Sequence, residues 1–441
     1  MYNYLHMTHT DTLIIAGGKK LNGTISVRGA KNAVTKEMVA AMLSAEPSVL
    51  HNVPDIADVA VVSEMIQLHG GTVTQVGEGS IKIESAKLQL ANPAELHTIA
   101  GTSRIPILFA GPLLHRLKKA ELPTLGGCEI GPRPVDFHLK ALQAMGAEIS
   151  QTEKSIKMKS NQLVGAKITL DYPSVMATEQ VLLSSVLARG VTELRNAAIE
   201  PEIIDLICVL QKMGAIIGVD TDRIITIQGV EKLHGYDHTV LTDRIEVASW
   251  ACVAAATSGK IKVLGAQQEP MMTFLNTFRK VGGEFTITDD GIEFWRGRPL
   301  TSITLETDVH PGFMTDWQQP FVVLLTQAEG SSTIHETVYE DRFGFTETLN
   351  KMGAKIQLYQ ECLGGTHCRF ENSNHLHSAI ISGPAQLHGA EITVPDLRAG
   401  FSYIVAALVA KGKTTIHGMK TVERGYEKFE EKLKAIGTEI Q

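Results

Sequence analysis

The residues best suited to chemistry lie in the segment 121–136, ELPTLGGCEIGPRPVD. Cys128 follows two glycines and stands five residues before Arg133, which is held between Pro132 and Pro134. Glycine frees the backbone and proline stiffens it, so this stretch reads as a mobile loop on a rigid base. A thiol in such a loop titrates close enough to neutrality to serve as nucleophile or proton donor, and the plain alternative is an incidental loop cysteine. Cys208 and Cys252 sit in apolar helical runs and read as inert core. The five cysteines form no CxxC pair, and a reducing cytoplasm is their simplest home.

Charged residues elsewhere suit an anionic or sugar ligand. In SVRGAKNA, Lys31 and Asn32 follow two small residues that let the backbone approach a ligand, although a lysine there also reads as ordinary surface. In HPGFMTDWQQPF, Asp316 reads as lying just ahead of a helix, where a carboxylate usually caps the first turn. In VPDLRAGFS, Arg398 falls in the first turn of a helix, where the helix dipole disfavours a cation, so a ligand anion is its better explanation. YEDRFG adds Arg342.

Repetition organises the elements that carry these residues. LHGG is echoed by LQAMGAEI, LQKMGAII, FRKVGGEF, LNKMGAKI and LKAIGTEI, with the key glycines at Gly70, Gly146, Gly214, Gly282, Gly353 and Gly437. Their spacings are 76, 68, 68, 71 and 84 residues. Each echo reads as a helix stopped by glycine and followed by a strand. Upstream of most copies runs a helix of small residues, a turn and a β-rich stretch, as in IVAALVAKG then TTIHGM. Six such units can form a solenoid or two closed domains of three.

Composition narrows the function. The 441 residues carry 41 Lys plus Arg against 48 Asp plus Glu, a net charge of −7, with 44% hydrophobic residues. That is an ordinary globular balance with no basic block, so neither nucleic acid nor a membrane surface is an expected partner. The first residues lack the pattern of an export signal, and the longest apolar runs fall well short of the roughly 20 residues that a membrane span needs.

Taken in order, RGAKNA, the isolated Arg104, LGGCEIGPRPVDFHL, the SV-AT segment at 174–178, EPEI, TDRIE, HPGF-TD, the ED-RF segment and DLRAG resemble the motifs of the UDP-N-acetylglucosamine 1-carboxyvinyltransferase family, enolpyruvyl transferases of peptidoglycan synthesis. The likeness spans essentially the whole chain. It implies an α/β (α+β) fold, an inside-out barrel of two three-unit domains with the active site in the cleft between them. Residues 30–241 would form one domain, and 1–29 plus 242–441 the other. It also implies transfer of the enolpyruvyl group of phosphoenolpyruvate to the sugar 3′-hydroxyl, with no metal and no organic cofactor.

Residue by residue, the resemblance assigns Lys31, Arg133 and Arg398 to the phosphate and carboxylate of phosphoenolpyruvate. A small polyanion held away from water needs several such cations. Asn32 and Arg104 would position the nucleotide sugar, along with Arg133, Pro134, Val135, Asp136, Phe137, Ser174, Val175 and the backbone of Val338, and Arg342 joins the binding residues. Cys128 would protonate the methylene carbon and be the position that fosfomycin alkylates. Asp316 would be the general base at the 3′-hydroxyl. Met176 stands where the family commonly has Gly, Tyr172 where some relatives carry Lys, and Ala248-Ser249 where Gly-Thr is usual. Two other readings remain: a shikimate-pathway enolpyruvyl transferase, which would lack the Cys128 loop, and a non-catalytic nucleotide-sugar-binding paralogue, against which the joint presence of Lys31, Cys128, Arg133, Asp316 and Arg398 counts.

Overall fold

Two classes of helix are written into the chain, and they decide its architecture. Arg244–Ala256, Thr315–Leu325 and Leu397–Val409 are apolar or small on almost every face, and nearly all their residues are buried. A helix of that kind is stable only where protein surrounds it, and these three pack on one another. Met272–Val281 is different: it buries Phe274, Leu275, Phe278 and Val281 and carries Arg279 and Lys280 in its last turn, a one-sided pattern that suits an outer position.

The computed structural model describes residues 11–100, 103–124, 135–365 and 368–441. They fall into two compact units, one of residues 29–124 and 135–241, the other of residues 11–28 and Thr242–Gln441. In the first unit Lys31–Ala40, Ala110–Leu117 and Val175–Ser185 are the inner helices, while Ala57–Leu68, Asp136–Ala144 and Pro201–Lys212 keep an exposed face. Close approach of inner helices demands small residues: a Cβ on Gly111 would come within 2.9 Å of Ser184 Oγ and 3.0 Å of the Leu183 carbonyl. The described residues form six small sheets, five of four strands with mixed pairing and one of three antiparallel strands.

One motif recurs: a short strand, an inner helix, a strand parallel to the first, an outer helix and an antiparallel hairpin. Lys167–Thr169 and Val191–Arg195 flank the helix Val175–Ser185 and pair in parallel, and Ile224–Gln228 and Ile216–Asp220 complete that sheet. The six glycines of the repeat each follow an outer helix and all have left-handed φ, between 86° and 116°. There the amide of the next residue reaches back to the helix, as Ala215 N does to the Leu210 carbonyl at 3.0 Å, a stop that a Cβ would strain.

Each unit closes on itself, which excludes the solenoid. Asp237–Thr239, the last strand of the first unit, pairs in parallel with Ser48–His51 near its start. Asn22–Ser26 pairs in parallel with Lys260–Leu264, and Thr12–Ala16 lies between Lys413–His417 and Glu439–Ile440 in the second unit. The chain therefore leaves a short strand behind at each of its two passages between units.

Two local expectations need correction. Lys119–Pro123 is a strand paired with Ser155–Lys159, so the interruption around Cys128 is shorter than the composition suggests; Ala120 and Leu122 alternate inward and hold it in the sheet. Cys208 is exposed, because it falls on the outward face of an amphipathic helix, whereas Cys252 is buried. Among the described residues no helix is long and apolar enough to cross a membrane.

Candidate functional site

The starts of the three inner helices in the second unit resemble one another in sequence but differ in what their aspartates do. Asp243 accepts from the amides of Ile245 and Glu246 at 2.8 and 3.1 Å, and Asp396 from those of Arg398 and Ala399 at 2.8 and 3.0 Å. Both are helix caps. The third helix begins at Thr315 after Met314, without a side-chain cap, and Asp316 is its second residue. The capping role expected for Asp316 is thus corrected: one residue inside the helix, its carboxylate points to cations.

Asp316 joins two arginines from separate segments. Arg342 Nη2 donates to its Oδ1 at 2.5 Å, and Arg398 Nε lies 3.4 Å from its Oδ2. Arg398 Nη1 also donates to the Tyr426 hydroxyl at 2.7 Å. Both arginines are buried. Burial opposes the charge of Arg342, yet Asp316, Asp396 and Glu336 around it hold the guanidinium above its ordinary pKa. The same holds for Arg398, where Tyr426, Asp316 and Asp243 outweigh desolvation.

Glu336 braces the segment that brings Arg342 in. Fully buried at the end of the strand Gly330–His335, it accepts from Val338 N and Tyr339 N at 2.9 and 3.0 Å and from Thr315 Oγ1 at 2.9 Å. Burial pushes its carboxyl up, against the lowering effect of Arg342 and these donors. The Val338 carbonyl accepts from Arg369. Arg342 also lines a cavity of about 340 Å³ with Gln319, Thr348, Asp396 and Tyr403.

In the first unit the cations are handled differently. Gly29 N donates to the Asn52 carbonyl at 2.9 Å and Ala30 N to the Leu241 carbonyl at 2.7 Å, a turn so tight that a Cβ on Gly29 would meet the Asn52 oxygen at 2.4 Å. It delivers Lys31 and Asn32 as the first two residues of an inner helix. Lys31 Nζ lies 2.7 Å from Asp58 Oδ2, in the first turn of Ala57–Leu68. Arg104 precedes the turn Ile105–Phe109, and Asp136 opens Asp136–Ala144 just after Val135. Both act on His138, which burial pushes down to about 4; Arg104 adds to that shift and Asp136 opposes it. Val135, Phe137, Val175 and Met176 pack against the core of this unit, and Ser174 Oγ caps Val175–Ser185 by accepting from Ala177 N at 3.4 Å.

Cys128, Arg133 and Pro134 lie outside the described residues. The structure gathers Asp316, Arg342 and Arg398 with Val338 close by in sequence to the second of these, and it groups Arg104 with Asp136. Asp58, Glu336 and Tyr426 were missed from sequence. Asp58 and Tyr426 act on partners far away in the chain, and Glu336 combines nearby amides with the distant Thr315, so no local pattern marks their roles.

Comparison with known proteins sets this geometry in a family. A family model described as EPSP synthase (3-phosphoshikimate 1-carboxyvinyltransferase) matches residues 15–433. The UDP-N-acetylglucosamine 1-carboxyvinyltransferase of Protochlamydia amoebophila (strain UWE25) is 50% identical over 439 residues, covering 98% of this chain and 94% of that protein. The protein of the same name from Chlamydia trachomatis serovar D is 44% identical over 432 residues, 97% of each chain. Among solved structures, the enolpyruvyl transferase NikO from Streptomyces tendae superposes with a TM-score of 0.86 at 22% identity, covering 98% of both chains. An EPSP synthase from Acinetobacter baumannii gives 0.76 at 20% identity, over 98% of this chain and 99% of that one. These two likenesses show the fold.

Proposed function

The chain belongs to the family of UDP-N-acetylglucosamine 1-carboxyvinyltransferases, and from that membership we infer that it transfers the enolpyruvyl group of phosphoenolpyruvate to the 3′-hydroxyl of UDP-N-acetylglucosamine, releasing phosphate, as the first committed step of peptidoglycan synthesis. Both substrates are small anions, in keeping with the arginines and lysine described above.

The reaction needs an addition and an elimination. The sugar oxygen bonds to C2 of phosphoenolpyruvate while a proton goes to C3; then C3 loses a proton and C2 loses phosphate, restoring the double bond. Cys128 is the donor to C3 in this reading, and Asp316 takes the hydroxyl proton. Lys31, Arg133 and Arg398 hold phosphate and carboxylate, and fixed cations of this kind stabilise the charge that develops on the leaving group. Asn32, Arg104, Val135 to Phe137, Ser174, Val175, Val338 and Arg342 orient the sugar nucleotide or support those that do. A reducing compartment keeps such a thiol free of disulfides, and we assign the protein to the cytoplasm.

The observation that carries this reading is the buried cluster of Asp316, Arg342 and Arg398. A carboxylate held by two guanidiniums is a poor base, because neighbouring positive charge favours its ionised form. An anionic substrate that engages Arg398 draws that cation from Asp316 and raises its basicity. The resident carboxylate therefore acts as a placeholder until phosphoenolpyruvate arrives. Phosphate release with phosphoenolpyruvate and each acceptor is the test: release with UDP-N-acetylglucosamine and none with shikimate 3-phosphate is expected. Release with shikimate 3-phosphate alone, or with neither acceptor, would overturn the reading.

A further inference from the structure

The fifth repeat contains an insertion that the reaction does not use. Hairpins elsewhere are tight, as between Gly283–Thr288 and Gly291–Arg296, but Ile356–Tyr359 and Ser378–Gly383 are joined by residues 360–377. Cys362 and Cys368 lie on this loop, and His377 at its end. His335 closes the adjoining strand Gly330–His335. One ligand atom from each of the four lies within 4.8 Å of the others.

We propose that His335, Cys362, Cys368 and His377 form a structural site for a zinc-class divalent cation. Cys362 Sγ is 3.7 Å from Cys368 Sγ and 3.4 Å from His377 Nε2. A tetrahedral site with zinc–sulfur bonds of ~2.3 Å and zinc–nitrogen bonds of ~2.0 Å has edges of about 3.8 Å between sulfurs and about 3.5 Å between sulfur and nitrogen. A disulfide would bring the sulfurs to ~2.05 Å. The donor set, two thiolates and two imidazoles, suits zinc and not magnesium or calcium.

The surroundings are arranged as around a metal. His377 Nδ1 lies 2.9 Å from the His375 carbonyl, so that nitrogen donates and Nε2 presents a lone pair toward Cys362, the orientation that a second hydrogen bond gives a metal-binding imidazole. His335 is fully buried, and neither ring nitrogen has a hydrogen-bond partner; its Nδ1 is 3.6 Å from Glu306 Oε2. A buried imidazole left so is unusual unless a ligand completes it. Phe370 N donates to Cys368 Sγ at 3.4 Å.

Four protein ligands leave no open position, which is the mark of a structural site. Its effect would be to staple the inserted loop onto the sheet. That loop reaches the segment leading to Arg342 through Arg369, which donates to the Val338 carbonyl, and Gly365 N donates to Glu306.

The test uses the untagged full-length protein, purified in reductant without chelator. Elemental analysis should find close to one zinc per chain. Cys362→Ser and Cys368→Ser should each lose it, while Cys208→Ser, on an exposed helix face, should keep it. Stripped wild-type protein given Co²⁺ should develop the visible bands of a tetrahedral ion with thiolate charge transfer, a readout that stands even where a serine variant fails to fold. Failure of the stripped protein to take up Zn²⁺, a six-coordinate Co²⁺ spectrum, or a Cys362–Cys368 disulfide in the freshly isolated reduced protein would each overturn the proposal.

Discussion

The two units satisfy their cations in different ways. In the first, Lys31 pairs with Asp58; the lysine side chain keeps 18% of its exposure, while Asp58 is buried in the first turn of a helix, where the dipole favours it. In the second, one carboxylate, Asp316, stands between two arginines that are almost wholly buried. When the first arrangement gives up its cation, the helix dipole still supports the carboxylate that stays behind. The second cannot lose its anion, because two desolvated guanidiniums would then be left with less opposing charge.

Asp316→Asn should accordingly have the largest effect, and on two quantities. Loss of one partner from a buried ion pair costs about 3–5 kcal/mol. Loss of a general base costs about 10²- to 10⁴-fold in turnover. Urea unfolding and phosphate release measure the two separately. A variant as stable as the wild type would break the contrast between units, and one that kept full turnover would remove Asp316 from the chemistry.

Lys31→Gln tests the other side. Turnover should fall on the order of 10²-fold or more if the ammonium stabilises developing phosphate charge. Stability should fall by less than the ~3–5 kcal/mol that breaking a wholly buried pair costs, because the lysine end keeps contact with water and the helix dipole supports Asp58. A large drop in the unfolding midpoint would show that the Lys31–Asp58 pair is as structural as the cluster around Asp316.

Buried charge is not confined to the second unit, and pH exposes where the first unit keeps it. Glu179 is fully buried, with Lys36 Nζ at 3.7 Å, and desolvation outweighs that lysine to push its carboxyl up to about 7. The folded state then binds this proton more tightly than the unfolded chain. Its contribution to stability is complete below the unfolded value near 4.5 and is lost as pH rises through about 7. Glu179→Gln should flatten that decline, which is on the order of 3 kcal/mol at most. Unfolding midpoints at pH 5 and pH 8 are the measurement. An equal slope in both proteins would mean that Glu179 stays ionised throughout.

Met176→Gly should have the smallest effect. Met176 is the second residue of Val175–Ser185 and packs against the core of its own unit. Its removal should lower stability by about 1 kcal/mol, the cost of glycine in a helix. It should shift the Michaelis constant for UDP-N-acetylglucosamine with turnover nearly unchanged, the pattern of altered uniform binding. If the wild type failed to bind the nucleotide sugar in calorimetry and the variant bound it, the paralogue reading would stand instead.

Much of this molecule was legible in its residues because much of it is periodic. The six helix stops at glycine, the all-apolar inner helices and the one-sided outer helices are local properties of the chain, set by left-handed φ and by which faces must avoid water. Among the candidate residues Arg398 stood out for a related reason, a cation at a helix start where the dipole disfavours it, whereas Lys31 and Asp316 were singled out by the motifs that resemble the family. Charge pairing is not periodic and was not legible. That Asp316 lies one residue too far into its helix to cap it, that Arg342 and Arg398 converge on it, and that Glu336 braces the approach of Arg342 all depend on segments brought together by closure of the unit. The cysteine–histidine cluster makes the same point. Cys362, Cys368 and His377 stand on one stretch of chain within the longest glycine spacing, 84 residues, but the fourth ligand comes from a separate strand, and only the hairpin register between Gly330–His335 and Ser378–Gly383 sets His335 beside the end of the inserted loop.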